Sequence, residues 1–139
     1  MPTDPNCIFC KIIAGQIPCH RLAEDEATLA FLDINPINPG HALIIPKSHA
    51  PNLMASADED LAAVMRTVRR VAAAIDQVLH PFGINLLQAN GEGAAQSVFH
   101  FHMHIIPRAK GDDLMMNWGL KPGDHKELAA LAEKIRAAL

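Results

Sequence analysis

Residues 96–108 read QSVFHFHMHIIPR, with His100, His102 and His104 at alternate positions, separated by Phe101 and Met103. Strict alternation running into Ile105, Ile106 and Pro107 is the pattern of a half-buried β-strand. Side chains i, i+2 and i+4 of a strand share one face, so the three imidazoles point one way. Phe99, Phe101, Met103 and Ile105 point the other way, into a core. At ~3.3 Å per residue, neighbouring histidines stand ~6.6 Å apart and the outer pair ~13 Å apart. A metal that bonds imidazole nitrogen at about 2.0–2.1 Å can take two adjacent members of such a row, but not all three. At least one imidazole is left for other chemistry.

Imidazole is the side chain that titrates nearest neutral pH, and one ring nitrogen can attack while a hydrogen bond fixes the other. His102, flanked on both sides, is the best-buttressed nucleophile for a phosphorus or acyl centre. His100 and His104 then stand beside the reacting group, able to donate to its non-bridging or leaving-group oxygens. Upstream, the Gly91–Gly93 loop offers backbone N–H groups, and Gln96 and Ser97 add side-chain donors, a set suited to an anionic ligand. A zinc hydrolase using one His-x-His pair and a metal-bound water is a competing reading of the same row.

Working outward, HRLAEDEATLAFLDI (20–34) predicts two short strands turning around Glu24–Glu26. NPINPG (35–40) must be a loop, because Pro36 and Pro39 have no N–H for a ladder, and HALIIPK (41–47) follows as a buried strand. Ser56 and Glu59 form a capping-box pattern. Behind it Leu61, Met65, Val68, Ala72, Ile75 and Leu79 make one apolar stripe of a long helix ending at His80, before Pro81. INLLQAN (84–90) reads as a strand and GEGAAQ (91–96) as a loop. Residues 7–14 suit a short helix stopping at Gly15. Asp124 and Glu127 open a last helix with Leu128, Leu131, Ile135 and Leu139 on one face. Strands with short connections and one long helix argue for an α+β fold, an antiparallel sheet with helices on one side. The histidine face is then expected to be open to solvent.

The chain of 139 residues is 50% hydrophobic and 19% charged, with a formal net charge of −3. That length suits one domain spanning 1–139. The charge gives no global reason to bind nucleic acid or an anionic membrane, and no apolar run reaches the ~18 residues of a spanning helix. The N-terminus lacks the pattern of a signal peptide, which implies a cytoplasmic protein. There Cys7, Cys10 and Cys19 are thiols or metal ligands rather than disulfides. Cys7-x-x-Cys10 reads as two incidental buried thiols or as half of a zinc site, since two thiolates and two imidazoles make four-coordinate zinc. His41 reads as ordinary, His20, His80 and His125 as surface residues, and Cys19 as inert. Arg66, Arg69 and Arg70 form a solvated helix face. Trp118 either packs at the surface or reaches a partner subunit.

With these residues in view, the chain resembles the histidine triad (HIT) family of nucleotide-binding hydrolases and transferases. QSVFHFHMHII has the family's alternation of histidine and apolar residues. CIFCKIIAGQIP, AFLDINPINPGHALIIPKSH, NGEG and IIPR resemble the bacterial form in the same order, over roughly residues 6–110, leaving 111–139 as a C-terminal extension. The resemblance implies a five-stranded antiparallel sheet with one long and one or two shorter helices, dimerising into a ten-stranded sheet. It implies chemistry at the α-phosphate of purine nucleoside monophosphate derivatives: phosphoramidates, aminoacyl adenylates or dinucleoside polyphosphates. His102 would be the nucleophile, forming a nucleotidyl-histidine. His104 would stand near the leaving group, and His100 would orient the strand. Asp33 and Ile34 match positions that hold ribose and base, and Asn90, Gln96 and Ser97 match positions lining the phosphate site. Cys7, Cys10, His49 and His100 match the residues that bind structural zinc in many bacterial members. No organic cofactor is implied. One departure stands out: the family usually has glycine before the glutamine, where this chain has Ala95. A site needing positive φ there would be strained by alanine, which favours the alternative of a nucleotide- or partner-binding module with vestigial catalysis.

Overall fold

The protein is described by a computed structural model covering residues 1–115 and 119–139. The element order is α1 (Ile8–Ile13), β1 (Arg21–Glu24), β2 (Thr28–Leu32), β3 (Ala42–Pro46), α2 (Asp58–Leu79), β4 (Gly83–Leu87), β5 (Met103–Arg108) and α3 (His125–Ala137). The five strands form one antiparallel sheet in the order β1-β2-β3-β5-β4. No helix among the described residues is long and apolar enough to cross a membrane.

The β1–β2 turn is organised by Asp25, whose Oδ1 accepts the N–H groups of Ala27 and Thr28 and the Thr28 hydroxyl. Strands β2 and β3 read TLAFL and ALIIP, apolar at nearly every position, because both faces of the sheet centre are covered. Ala30, Ala42, Ile44 and Ile105 pack under α2 against Val64, Val68, Val71 and Ile75, joined by Phe101. Leu29, Phe31, Leu43 and Ile45 face the other way, against Cys7, Phe9 and Cys10 of the N-terminal segment. Helices therefore lie on both sides of the sheet, and the expected open histidine face is roofed by α1. That roof covers His100 and His102, which are 0% and 4% exposed, and leaves His104 half-buried.

The histidine strand is shorter than its alternation suggests. Ladder pairing runs Ala42↔Ile105 and Ile44↔Met103, so Pro46 is next in line, opposite Phe101. The Lys47 N–H bonds Ala27 O on the β2 side, and alternation turns the backbone nitrogen of residue 46 toward β5. Proline has no hydrogen there. The ladder stops, the Phe101 N–H turns instead to Ala50 O at 2.7 Å, and His100 and His102 lie on an irregular segment leading into β5. Phe99, expected in the core, is half exposed for the same reason.

The long helix is displaced from its expected stripe. Its buried residues are Ala63, Val64, Thr67, Val68, Val71 and Ile75, while Met65 and Leu79 are largely exposed. Thr67 is the polar member, its hydroxyl 2.7 Å from that of Thr28 in the core. The capping box does not form: Ala57 is the N-cap, and the Ser56 hydroxyl donates to Asn52 O. Three acidic residues in the first turn, Asp58, Glu59 and Asp60, complement the helix dipole in its place. The last helix starts where expected, Asp124 Oδ1 accepting the N–H groups of Lys126 and Glu127. Its apolar residues Leu128, Leu131 and Ile135 remain exposed. Trp118 lies outside the described residues.

Candidate active site and metal centre

Hydrogen-bond donors and acceptors fix where each imidazole carries its proton. His102 Nδ1 lies 2.7 Å from the carbonyl oxygen of His100. A carbonyl only accepts, so Nδ1 carries the hydrogen and Nε2 keeps a free lone pair. His100 Nε2 likewise donates to Pro46 O at 2.8 Å, leaving its Nδ1 bare. Thus the proline that ends the ladder also orients the first imidazole. His102 and His104 face each other at a ring separation of 5.0 Å, and Phe9 packs edge-on to His102 at 5.2 Å.

Burial governs the electrostatics. It pushes His104 down to about 4, helped by neighbouring His102 and His41 and opposed by Asp33. His102 is lowered by burial too, against its bond to His100 O and the Asp33 charge. Both rings are neutral at pH 7, the state in which a lone pair can attack.

A pocket of about 240 Å³ opens beside them, walled by Ile8, Phe9, Ile17, Phe31 and Leu43, with Asp33, Ile34, Ser97, His102 and His104 also lining it. Apolar walls with a few polar groups at one end suit a flat heteroaromatic ring carrying a polar tail. A larger groove of about 500 Å³ between α2 and β1 is lined almost wholly by aliphatic side chains; it has no nucleophile, and the chemistry belongs to the smaller pocket. Cys19, read as inert, lies on the rim of that smaller pocket.

Not every expected site residue reaches the pocket. Gln96 is buried and fully engaged: Oε1 accepts the Gly91 N–H, and Nε2 donates to Pro51 O and Val98 O. Asn90 accepts the Leu53 N–H and pairs with Gln88. Both side chains brace the 88–98 loop. Within that loop Ala95 sits at φ +63°, ψ +30°, the left-handed region where glycine is favoured.

His41, read as ordinary from sequence, is the residue that reading missed. It is buried, with Nε2 2.9 Å from His104 Nδ1 and 3.6 Å from Asp33 Oδ2. Period-2 alternation does put 41 on the face of Leu43 and Ile45; only the pairing of β3 with β5 brings that face beside His104.

Behind the triad, Cys7, Cys10, His49 and His100 converge, their ligand atoms all within 4.8 Å of one another. The N–N edge, His49 Nδ1 to His100 Nδ1, is 3.2 Å, and the S–N edges are 3.5 and 3.6 Å. A tetrahedron with zinc bond lengths to nitrogen and sulfur has edges of ~3.3 and ~3.6 Å. The donors present fit the ion. His100 offers the bare Nδ1 while Pro46 holds the other nitrogen, the usual support for a metal-bound imidazole. Burial raises the Cys10 thiol, opposed by the Asp4 N–H; a bound cation would reverse that shift and hold the thiolate.

The chain and its fold are similar to known proteins. The adenosine 5'-monophosphoramidase of Schizosaccharomyces pombe is 44% identical over 135 residues, covering 96% of this chain and 98% of that protein. The crystal structure of a HIT family member from Bacillus subtilis superposes with a TM-score of 0.91 at 45% identity, covering 96% and 97% of the two chains. A zinc-bound histidine triad family protein from Mycobacterium smegmatis matches with a TM-score of 0.74 at 38% identity, covering 95% and 97%. The HIT domain itself matches residues 14–111. From alternating imidazoles to five-stranded sheet, this chain belongs to the HIT family.

Proposed function

We propose that the protein is a hydrolase, or nucleotidyl transferase, acting at the α-phosphorus of purine nucleoside monophosphate derivatives through a nucleotidyl-His102 intermediate. The observation that carries this reading is the His102 proton, held at Nδ1 by the His100 carbonyl, with Nε2 free beside a mostly apolar pocket. The Schizosaccharomyces pombe relative, named an adenosine 5'-monophosphoramidase, supports a phosphoramidate as substrate. In the first step Nε2 attacks phosphorus and the bond to the leaving group breaks. The leaving group departs with the bonding pair and takes up a proton. Water then attacks phosphorus, releases the nucleoside monophosphate, gives up a proton and restores the imidazole. Asp33 receives the ribose hydroxyls, Ile34 covers the base, Ser97 donates to the phosphate and His104 to the leaving group. Gln96 and Asn90 hold the loop that carries Ser97.

Structural zinc at Cys7, Cys10, His49 and His100 fastens the N-terminal segment to the catalytic segment. A homodimer uses the outer edge of β4, which among the described residues pairs only with β5. Incubation with adenosine 5'-phosphoramidate tests the reading. Wild type releases AMP and carries a nucleotidyl adduct on His102 by mass spectrometry; His102→Ala does neither. Equal AMP release by both proteins refutes a nucleophilic His102. The second reading, a binding module with vestigial turnover, draws on Ala95 in its left-handed conformation; it predicts nucleotide binding with background hydrolysis, restored by Ala95→Gly.

A further inference from the structure

Resting on the proposed reaction, we propose that His41 is a positioning residue through which the 35–40 loop locks the His104 proton onto Nε2, where it serves as a hydrogen-bond donor to the leaving atom. Each neutral ring carries one proton, and its hydrogen-bond partners decide which nitrogen holds it. The Ile37 N–H points at His41 Nδ1 at 3.1 Å. A backbone N–H can only donate, so His41 Nδ1 must be bare and its one proton lies on Nε2. That Nε2 is 2.9 Å from His104 Nδ1. Two ring nitrogens this close share one hydrogen, and His41 supplies it. His104 Nδ1 is therefore an acceptor, and its own proton is displaced to Nε2. The reverse arrangement would place a second hydrogen on His41 Nδ1, facing the Ile37 N–H. Donor would meet donor in a buried site, leaving both without an acceptor.

The surroundings hold this order in place. Asp33 Oδ2, 3.6 Å from His41 Nε2, favours a hydrogen on that nitrogen. Asp33 is fixed in turn: its N–H bonds His41 O at 2.9 Å and its Oδ1 accepts the Asn35 N–H at 2.8 Å. The loop's far side is pinned by Asn38, whose Nδ2 donates to Pro107 O at 2.9 Å and Asp112 Oδ2 at 2.8 Å. The proline-rich stretch 35–40 is thus a rigid bracket, and the Ile37 N–H is its working end. Both rings stay neutral because burial disfavours a second proton on either. His102 and His104 are consequently of opposite type. One turns a lone pair toward phosphorus and the other a hydrogen.

Two polar replacements separate this role from simple packing. His41→Asn keeps an acceptor near the Ile37 N–H but is too short to reach His104. His41→Gln extends an N–H to the position of Nε2. Uniformly nitrogen-15-labelled protein shows, by long-range proton–nitrogen correlation, which His104 nitrogen carries hydrogen. Wild type and His41→Gln are expected to show Nε2–H alone, and His41→Asn a mixture of tautomers. In turnover, kcat of His41→Asn falls at least tenfold more for adenosine phosphoramidate, whose amine needs a hydrogen-bond donor as it leaves, than for a nitrophenyl ester of AMP. KM changes little, and His41→Gln recovers most of the loss. An unchanged His104 tautomer in folded His41→Asn overturns the proposal, as does an equal loss on both substrates. If no substrate is turned over by wild type, the reaction assigned above fails while the ring spectra still judge His41.

Discussion

Replacing Gly40 with alanine tests how tightly the backbone beside His41 is held. Gly40 has φ +89°, and a Cβ built there would lie 2.4 Å from Leu79 Cδ1 and 3.2 Å from Pro107 Cγ. Two costs add. Positive φ costs a side-chain-bearing residue ~1–2 kcal/mol. Overpacking costs ~1–3 kcal/mol, toward the lower end here because Leu79 is 43% exposed and can swing outward. The Pro107 ring is buried and cannot. Reduced freedom of the unfolded chain returns about 0.4–1 kcal/mol, so the net expected loss is ~1.5–2.5 kcal/mol. Two controls split the terms. Gly15 has φ +75° with nothing within 4 Å of a built Cβ, so Gly15→Ala reads the backbone term alone, ~0.5–1 kcal/mol net. Gly93 has neither positive φ nor a neighbour within 4 Å, and alanine there is neutral or slightly stabilising. Urea unfolding monitored by far-UV circular dichroism, with equal m-values across the series, measures all three. A Gly40→Ala loss within 0.5 kcal/mol of the Gly15→Ala loss would refute the packing argument.

Ala95→Gly, at φ +63°, should gain ~0.5–1 kcal/mol by the same arithmetic run backwards, seen as a higher melting temperature. Stability should fall as pH drops from 6.5 to about 4, because the unfolded chain protonates His104 in that window and the folded chain does not. His104 contributes about 1.4 kcal/mol per pH unit to that slope, read as the difference between wild type and His104→Gln in urea titrations at stepped pH. Chelation, or Cys10→Ser, should lower the melting temperature and expose the N-terminal segment to protease, as loss of a structural ion predicts. Chelation that abolished activity with stability unchanged would point to the zinc-hydrolase mechanism instead.

The strands, the turn residues and both helix ends near Gly15 and Asp124 are legible because each is signalled by neighbours a few positions away. What escapes is set by distant partners. Pro46 cuts the histidine ladder short, yet nothing near residue 101 announces it. Thr67 belongs to the helix core only because Thr28 stands opposite it, and a reading that favours large aliphatic residues chooses Met65 and Leu79 in error. His41 has the same history, its partner His104 being 63 positions away. The four candidate metal donors are legible through family likeness, and the distances between them fit a zinc ion. The cover over His100 and His102 follows from a six-residue helix folding back over the sheet.

The donor cluster also orders events in time. Cys7 and Cys10 leave the ribosome 93 and 90 residues ahead of His100. During synthesis the early thiols wait, exposed and oxidisable, until the final strand arrives and completes the set. Closing a loop of that size carries an entropic cost like that of a long disulfide, ~4–5 kcal/mol. In the proposed zinc-bound protein the N-terminal segment is therefore tied to His100 last, and a nascent copy stalled before that residue exposes two thiols with only His49 to complement them.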